Sequence, residues 1–581
     1  MSETQDPRDH DGSQDPDQYR VRRARGLAPG TSSIARRRQL SVVVVVVLAL
    51  TGTVAVVASL FGGSDPSGSR SEGGASSGDA GTGSGQVVDE DGNGASDGDG
   101  AGPTDSSQLV VGRIAGQLVN PASSGHMWSE EVPGLLTFRG NPTRSYSGRG
   151  PVPQAPKVAW YYPRDGGMCS SSSAKGETKT WCGMGWTGQP AVFERDGRLW
   201  VVFGAYDRAV HFMDGVTGED ILPPFPTGDI IKGSVTMDPD GYPIVYSGSR
   251  DGYYRAIAID RPGGAVELWK LSADDVSPTL WNDDWDGSGL VLDDYLLEGG
   301  ENSQFHMVKL NRAYGADGLV TVDPDLVFNT PSWDQQVIND LNGNRSKEMS
   351  VEGSVAVSGN TVYFANSGGL VSGWDLGPLV AGTGDPVKTF RFWTGDDTDA
   401  SVVIDDEGFL YVSVEYERGN DRAEQVGQLL KLDPRRPDDP IVWSYADRVA
   451  ATAGFWGTPA LYEDVVINAT NGGKLLALDK ETGVQRWSVD LPGPTWQSPV
   501  VVDETLVYGD CNGVLRGYDV SDTTIVPSQL WEIRLGGCIE ATPAVWDGSI
   551  YVGTRGGKFF ALRDDGTLES PTANLSAGGG E

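Results

Sequence analysis

The chain has 581 residues and a formal net charge of −35, which disfavours nucleic acid or an anionic lipid surface as partner of its main body, because like charges repel. The length allows two or three average domains, or one large β domain with appendages. The 80 glycines, 17 tryptophans and 19 tyrosines favour the second, since Gly-rich turns and aromatic strands go with all-β folds.

Residues 1–38 are a polar tail that ends in a basic cluster, Arg20, Arg22, Arg23, Arg25, Arg36, Arg37 and Arg38. The next stretch, 39–61, reads QLSVVVVVVLALTGTVAVVASLF and carries no charge. As a helix it would span roughly 34 Å, enough to cross a bilayer core. The arginines place its N-terminal side in the cytoplasm. A cleaved signal peptide is the competing reading, but its apolar run is usually about 7–15 residues. The longer run here, behind a long leader, favours an uncleaved anchor, and no cysteine follows it to make a lipoprotein.

Residues 62–110 are mostly Gly, Ser, Asp, Ala and Thr. They cannot bury enough apolar surface to fold, so they are expected to form a disordered linker with a reach of roughly 38 Å. The body, 111–567, is then extracytoplasmic, and 568–581 is a second disordered tail. The four cysteines, Cys169, Cys182, Cys511 and Cys538, all lie in the exported part and read as two disulfides. Local pairing, Cys169–Cys182 and Cys511–Cys538, is the choice among three connectivities. A metal site is the alternative, disfavoured because His126, His211 and His306 lie far apart.

Within the body a unit of about 40 residues recurs. Residues 458–491, TPALYEDVVINATNGGKLLALDKETGVQRWSVDL, align with 498–535. Each gives a strand after Pro, an alternating strand, a strand ending in Asp, and a strand centred on Trp. Further copies begin near 189, 234, 277, 353, 400 and 542, and the last stops after three strands. The segment KVAWYYP, 157–163, supplies the missing fourth. The expected fold is therefore all-β, an eight-bladed β-propeller closed by an N-terminal strand, which leaves no exposed sheet edge. Seven blades remain open if the third copy is an insertion. The outer aromatics expected on the blades are Phe225, Trp269, Phe328, Trp393, Trp443, Trp487, Trp531 and Trp160.

In the sixth copy Asp479 can accept backbone N–H groups across a turn, Thr482-Gly483 supplies that turn, and Trp487 can lie against the next blade with its indole N–H on a backbone acceptor. This A-x-D-x-x-T-G-x-x-x-W pattern resembles the tryptophan-docking motif of the PQQ-like propeller superfamily, which includes quinoprotein alcohol dehydrogenases and the propeller lipoprotein of the outer-membrane barrel assembly machine. The resemblance covers roughly 137–565. It implies the fold, whereas function is carried by sites grafted on it. In the enzyme members PQQ and calcium sit in the central funnel beneath a disulfide between adjacent cysteines. No two cysteines are adjacent here and no C-x-x-C-H haem motif occurs, so PQQ is disfavoured.

The loops entering each inner strand should line one face of the funnel. They offer Trp186, Lys232, Glu352, Asp399, Trp456, Trp496 and Glu540, with Ser277-Pro278 as the entry of the third copy. Indoles beside carboxylates suit sugar faces or cations; residues merely packing a narrow funnel are the plainer reading. Asn282, Asp284, Asp286 and Gly287 have the N-x-D-x-D-G spacing of calcium loops, although Asp293, the twelfth position, falls at the far end of a strand. An ordinary acidic turn competes with that reading. No nucleophile motif or P-loop is found, so no catalytic residue is assigned. The sequence thus points to a single-pass, N-in protein of the cell membrane. It displays a non-catalytic binding or scaffold propeller to an envelope protein or glycan. No cofactor is firmly implied, and calcium is a candidate. The alternatives are a PQQ- and calcium-dependent dehydrogenase, or a glycan-cleaving enzyme using funnel carboxylates.

Overall fold

The computed structural model describes residues 110–571 except 175–176, 186–187 and 449–452. The tail, the apolar run 39–61, nearly all of the linker and most of the C-terminal tail lie outside the described residues, as does Trp186. Among the described residues no helix is long and apolar enough to cross a membrane.

Among the described residues, eight sheets of four or five strands, antiparallel within each blade, follow one another along the chain. Blade one holds Ala191–Arg195, Arg198–Ala205, Ala209–Asp214 and Asp220–Pro226. The inner strands of blades two to seven are Thr236–Met237, Leu290–Leu292, Ala356–Ser358, Val403–Ile404, Ala460–Tyr462 and Val500–Val502. Blade eight holds Ala544–Trp546, Ser549–Thr554 and Lys558–Arg563, and its outer strand is Lys157–Tyr162 from the N-terminal side. The expected ring closure therefore stands, with eight blades. Both local disulfides, Cys169–Cys182 and Cys511–Cys538, are present. The first ties a hairpin ahead of blade one; the second ties a blade-seven turn to the entry of blade eight.

The docking turn forms as expected. Asp479 accepts from the backbone N–H groups of Glu481 (3.2 Å) and Thr482 (2.8 Å). Gly483 has φ +70°, and a Cβ there would meet Trp443 of blade five at 2.6 Å. The tryptophan on this turn thus comes from the preceding blade, and its indole N–H donates to Lys480 O at 3.1 Å. Trp160 docks likewise on the blade-one turn, donating to Gly215 O at 2.9 Å. Trp487 is buried among Val501, Leu506 and Tyr518 of blade seven, but its indole N–H has no acceptor. The corresponding blade-seven turn reads Val520-Ser-Asp-Thr and lacks the Thr-Gly step. Two outer aromatics are also corrected by strand register. Phe390, not Trp393, faces Gly373 at the blade-four bulge, and Leu222, not Phe225, faces Phe212 in blade one.

Sequence reading missed the segment between Gly134–Leu135 and Gly148–Arg149. The first pair extends blade one and the second runs parallel to the inner strand of blade eight. Between them the chain enters the central channel. Backbone N–H groups of Met237, Val357 and Ile404, on three inner strands, donate to Leu136, Pro142 and Thr143 carbonyls at 2.7–3.0 Å. Arg139 and Arg144 are buried in this plug. Arg139 donates to the carbonyls of Pro459 and Pro499, and Arg144 to those of Val355 (2.8 Å) and Ser288 (2.6 Å). Carbonyls at the starts of inner strands thus take up both buried guanidinium groups, although Arg139 Nε has no hydrogen-bond partner.

Candidate functional site

Among the described residues, the funnel face above the plug is built from two positions in each of blades two to eight. One is the residue at the entry of the inner strand, and the other the residue in the turn after the second strand. In blade two these are Lys232 and Arg250, and in blade three Asp286 and Glu301. They are Glu352 and Ser367 in blade four, Asp399 and Glu415 in blade five, and Trp456 and Asn471 in blade six. Blade seven gives Trp496 and Cys511, and blade eight Glu540 and Arg555. In each blade the strand pairing puts the two positions in register. Two residues beyond the entry position a Ser or Thr recurs. The N–H groups of Gln189, Ser288, Ser354, Ser401 and Thr458 donate to the hydroxyls of Ser234, Ser354, Ser401, Thr458 and Ser498 on the following blades at 2.8–3.0 Å. This hydroxyl belt fixes the height of the entry residues against one another.

The third entry is Asp286, not Ser277. Ser277-Pro278 lies in the loop before blade three, where Gln304 donates to Pro278 O. Asp284, Asp286 and Glu301 converge, and the Lys232 ammonium sits among them, 3.3, 2.5 and 2.8 Å away. Arg250 pairs with Asp284 at 2.6 Å, and Asn282 donates to Glu301 at 2.9 Å. Three of the proposed calcium-loop residues are therefore gathered in one place, with a lysine supplying the cation. Asp293 lies at the far end of the inner strand, paired with Arg113. Burial pulls the Lys232 ammonium down, but the carboxylates outweigh it and hold its pKa well above the ordinary value. For Glu301 burial opposes ionisation, yet Lys232 and Arg250 bring it down to about 2. Asp286 is pushed upward, by burial first.

Asp397, Asp399 and Glu415 form the matching group in blade five. A short pairing of Glu415–Tyr416 with Ala453–Gly454, and the Glu415 N–H on Asp397 O at 2.8 Å, hold Glu415 inward. Arg345 and Arg418 approach Asp397 Oδ2 at 3.3 and 3.2 Å, while its Oδ1 has no partner. Ser367 donates to Asp399 at 2.7 Å and Ser350 to Glu352 at 2.9 Å. Glu352 is pushed up to about 8, by burial and then by the charge of Glu301. Asp399 and Glu415 are raised as well, by burial and then by neighbouring carboxylates.

Trp456 and Trp496 come together but do not present open faces. They are 6% and 5% exposed, their ring centres lie 5.6 Å apart, and they pack on the Cys511–Cys538 bridge. Glu540 pairs with Arg555 at 3.0 Å, and Arg555 lies over Trp181 and Tyr206. Trp181, Tyr206, Arg250, Glu301, Asp397, Glu415 and Arg555 are funnel residues that sequence reading missed. The repeated D-x-D-[GA]-S string at 284–288 and 397–401 was the signal for the acidic pair.

With the geometry in hand, comparison with known proteins is informative in one region. Residues 426–572 match the family model described as outer membrane protein assembly factor BamB, which spans blades six to eight. Those residues are PQQ-like propeller repeats. Among curated proteins nothing matches the chain significantly. Among solved structures the chain is similar to quinohemoprotein alcohol dehydrogenase from Comamonas testosteroni, at 14% identity over 76% of this chain and 82% of that one, TM-score 0.49. It is also similar to the computationally designed Ika8, at 12% identity over 66% and 96%, TM-score 0.43. BamB from Moraxella catarrhalis aligns at 13% identity over 70% and 98%, TM-score 0.35. At those values the likeness adds nothing to the strand pairing above.

PQQ-like repeats raise the question of the quinone itself. Phe138 of the plug reaches up between Glu352, Asp399, Thr458 and Ser498 and lines a cavity there with room for about one water. Neither disulfide joins adjacent cysteines. Most of the charged ring residues are engaged with one another. Beside Phe138, between Glu352 and Asp399, the floor has no room for a three-ring quinone.

Proposed function

We propose that the chain is a non-catalytic binding or scaffold module of the cell envelope, a propeller held outside the membrane by the 39–61 anchor and the 62–110 linker. The plug is the observation that carries this reading. Arg139 and Arg144 lock it to the inner strands through at least four carbonyl contacts, and it occupies the channel where a deep reaction pocket would lie. What remains is a broad, braced face of loops, suited to contact rather than enclosure. Trp456 and Trp496 are spent on each other, which favours a protein over a glycan as the ligand. The test is turnover. Full-length protein in mild detergent, supplied with calcium, PQQ, primary alcohols and an artificial electron acceptor, is expected to give the rate of the protein-free control. Turnover above that control, or hydrolysis of envelope glycan by the same sample, overturns the reading.

A further inference from the structure

We propose that the side chains of Lys232 and Asp286 condense to an amide, a self-catalysed cross-link from blade two to blade three with Glu301 as its proton shuttle. Nucleophile, acceptor and shuttle are already assembled. Lys232 Nζ lies 2.5 Å from Asp286 Oδ2 and 2.8 Å from Glu301 Oε1, and the three side chains are 11%, 1% and 3% exposed. The main chains are pressed together as well, since a Cβ at Gly233 would collide with the Asp286 carbonyl oxygen. An amine and a carboxyl held in contact and out of water can condense without an activating reagent, because the bimolecular step has become intramolecular and water is kept away.

The three carboxylates around Lys232 are not equivalent. Asp284 Oδ2 accepts from Arg250 at 2.6 Å, and the two oxygens of Glu301 accept from Lys232 and Asn282. Asp286 Oδ2, the nearest to the ammonium, has no aligned hydrogen bond, and burial favours its neutral acid. Asp286 is therefore the acyl acceptor. Glu301 takes a proton from Nζ, and the freed lone pair attacks Cγ of the Asp286 acid to form the C–N bond. A second nitrogen proton passes to the Asp286 hydroxyl, the C–O bond breaks, and water leaves; the proton on Glu301 goes to solvent. Nothing is oxidised or reduced, and no substrate is turned over. The carboxylates hold Lys232 protonated, so the amine is scarce and the bond closes slowly. New protein carries the ion pair described above, and aged protein the amide. Blade five is the internal control, since Glu352 stands at the Lys232 position and offers Asp399 no amine. Unlike the two disulfides, the clasp survives reduction.

Full-length protein in mild detergent is held for a week, sampled daily, digested, and its peptides sequenced by mass spectrometry. The expected product is a branched peptide joining the segments of Lys232 and Asp286, lighter by one water than the two together, with a share that rises over time. Lys232→Arg keeps the positive charge but cannot form this amide, and should give no branch. Glu301→Gln keeps both partners and should slow closure by about tenfold or more, whereas Asp284→Asn should still close. Absence of the branched peptide from aged parent protein overturns the cross-link, and that measurement decides it whether or not a variant folds. A branch to Asp284 or Glu301 overturns the assignment of Asp286 as acceptor. Parental closure in Glu301→Gln overturns the role of Glu301.

Discussion

At the funnel wall Asp284, Asp286 and Glu301 of blade three stand at the same three positions as Asp397, Asp399 and Glu415 of blade five. The first group closes around Lys232, with Arg250 behind it. The second faces Glu352 and Ser367 at those two places, and only Asp397 meets arginines. Both triads sit where solvent is scarce, so the charge of the preceding blade decides how each is balanced. Repeat architecture makes such a contrast cheap to build, because one substitution at a ring position changes the sign of a site without moving a strand.

The largest expected effect comes from removing the cation that blade three already has. Lys232→Met leaves three buried carboxylates without it and should destabilise the protein by about 3–5 kcal/mol, read by urea unfolding. A loss below about 1 kcal/mol would mean that Arg250 alone balances the triad.

A smaller effect should follow from giving blade five what blade three has. Glu352→Lys places an ammonium at the position of Lys232 and should stabilise the protein by roughly 1–3 kcal/mol, the scale of charged hydrogen bonds. Glu352 and Glu301 should also respond oppositely to pH. Glu352 titrates at about 8 when folded against 4.5 as reference. The folded state then holds the extra proton between those values, and stability falls as pH rises through that window. Glu301, brought to about 2 from the same 4.5, contributes stability that is complete above pH 4.5 and lost as pH falls toward 2. Urea midpoints across pH 5–9 should decline, and Glu352→Lys should flatten that decline. An unchanged slope would separate Glu352 from the blade-five group.

The smallest contrast is the same lesson at the outer strands. Trp443 has an acceptor for its indole N–H and Trp487 has none. Trp443→Phe should therefore cost about 1 kcal/mol more than Trp487→Phe, measured by unfolding the two variants side by side. Equal costs would mean that the docking turn acts through packing alone.

Much of this architecture could be read from residue order. The blade count, the closing strand 157–162 and both disulfides were legible because each rests on local pattern: alternation, a Thr-Gly turn, and cysteines on neighbouring loops. The funnel was only half legible. Lys232, Glu352, Asp399 and Glu540 were placed by their position ahead of a strand, but Asp286, read only as part of a calcium loop, was left off the ring when the third copy was started at Ser277. Glu301, Glu415 and Arg555 were lost because nothing local marks the turn after a second strand as facing the axis.

The sequence by itself determined the repeat and the charge that the funnel residues bring, and it favoured eight blades over seven. Periodicity and turn chemistry act within about 40 residues of chain and need no knowledge of what lies across the ring. Only the tertiary structure decided which charges meet. Arg139 reaches carbonyls at 459 and 499, and Lys232 meets Glu301 from the next blade. Such contacts depend on how the blades and the plug pack, which brings distant segments together in space and fixes which carboxylates find a cation.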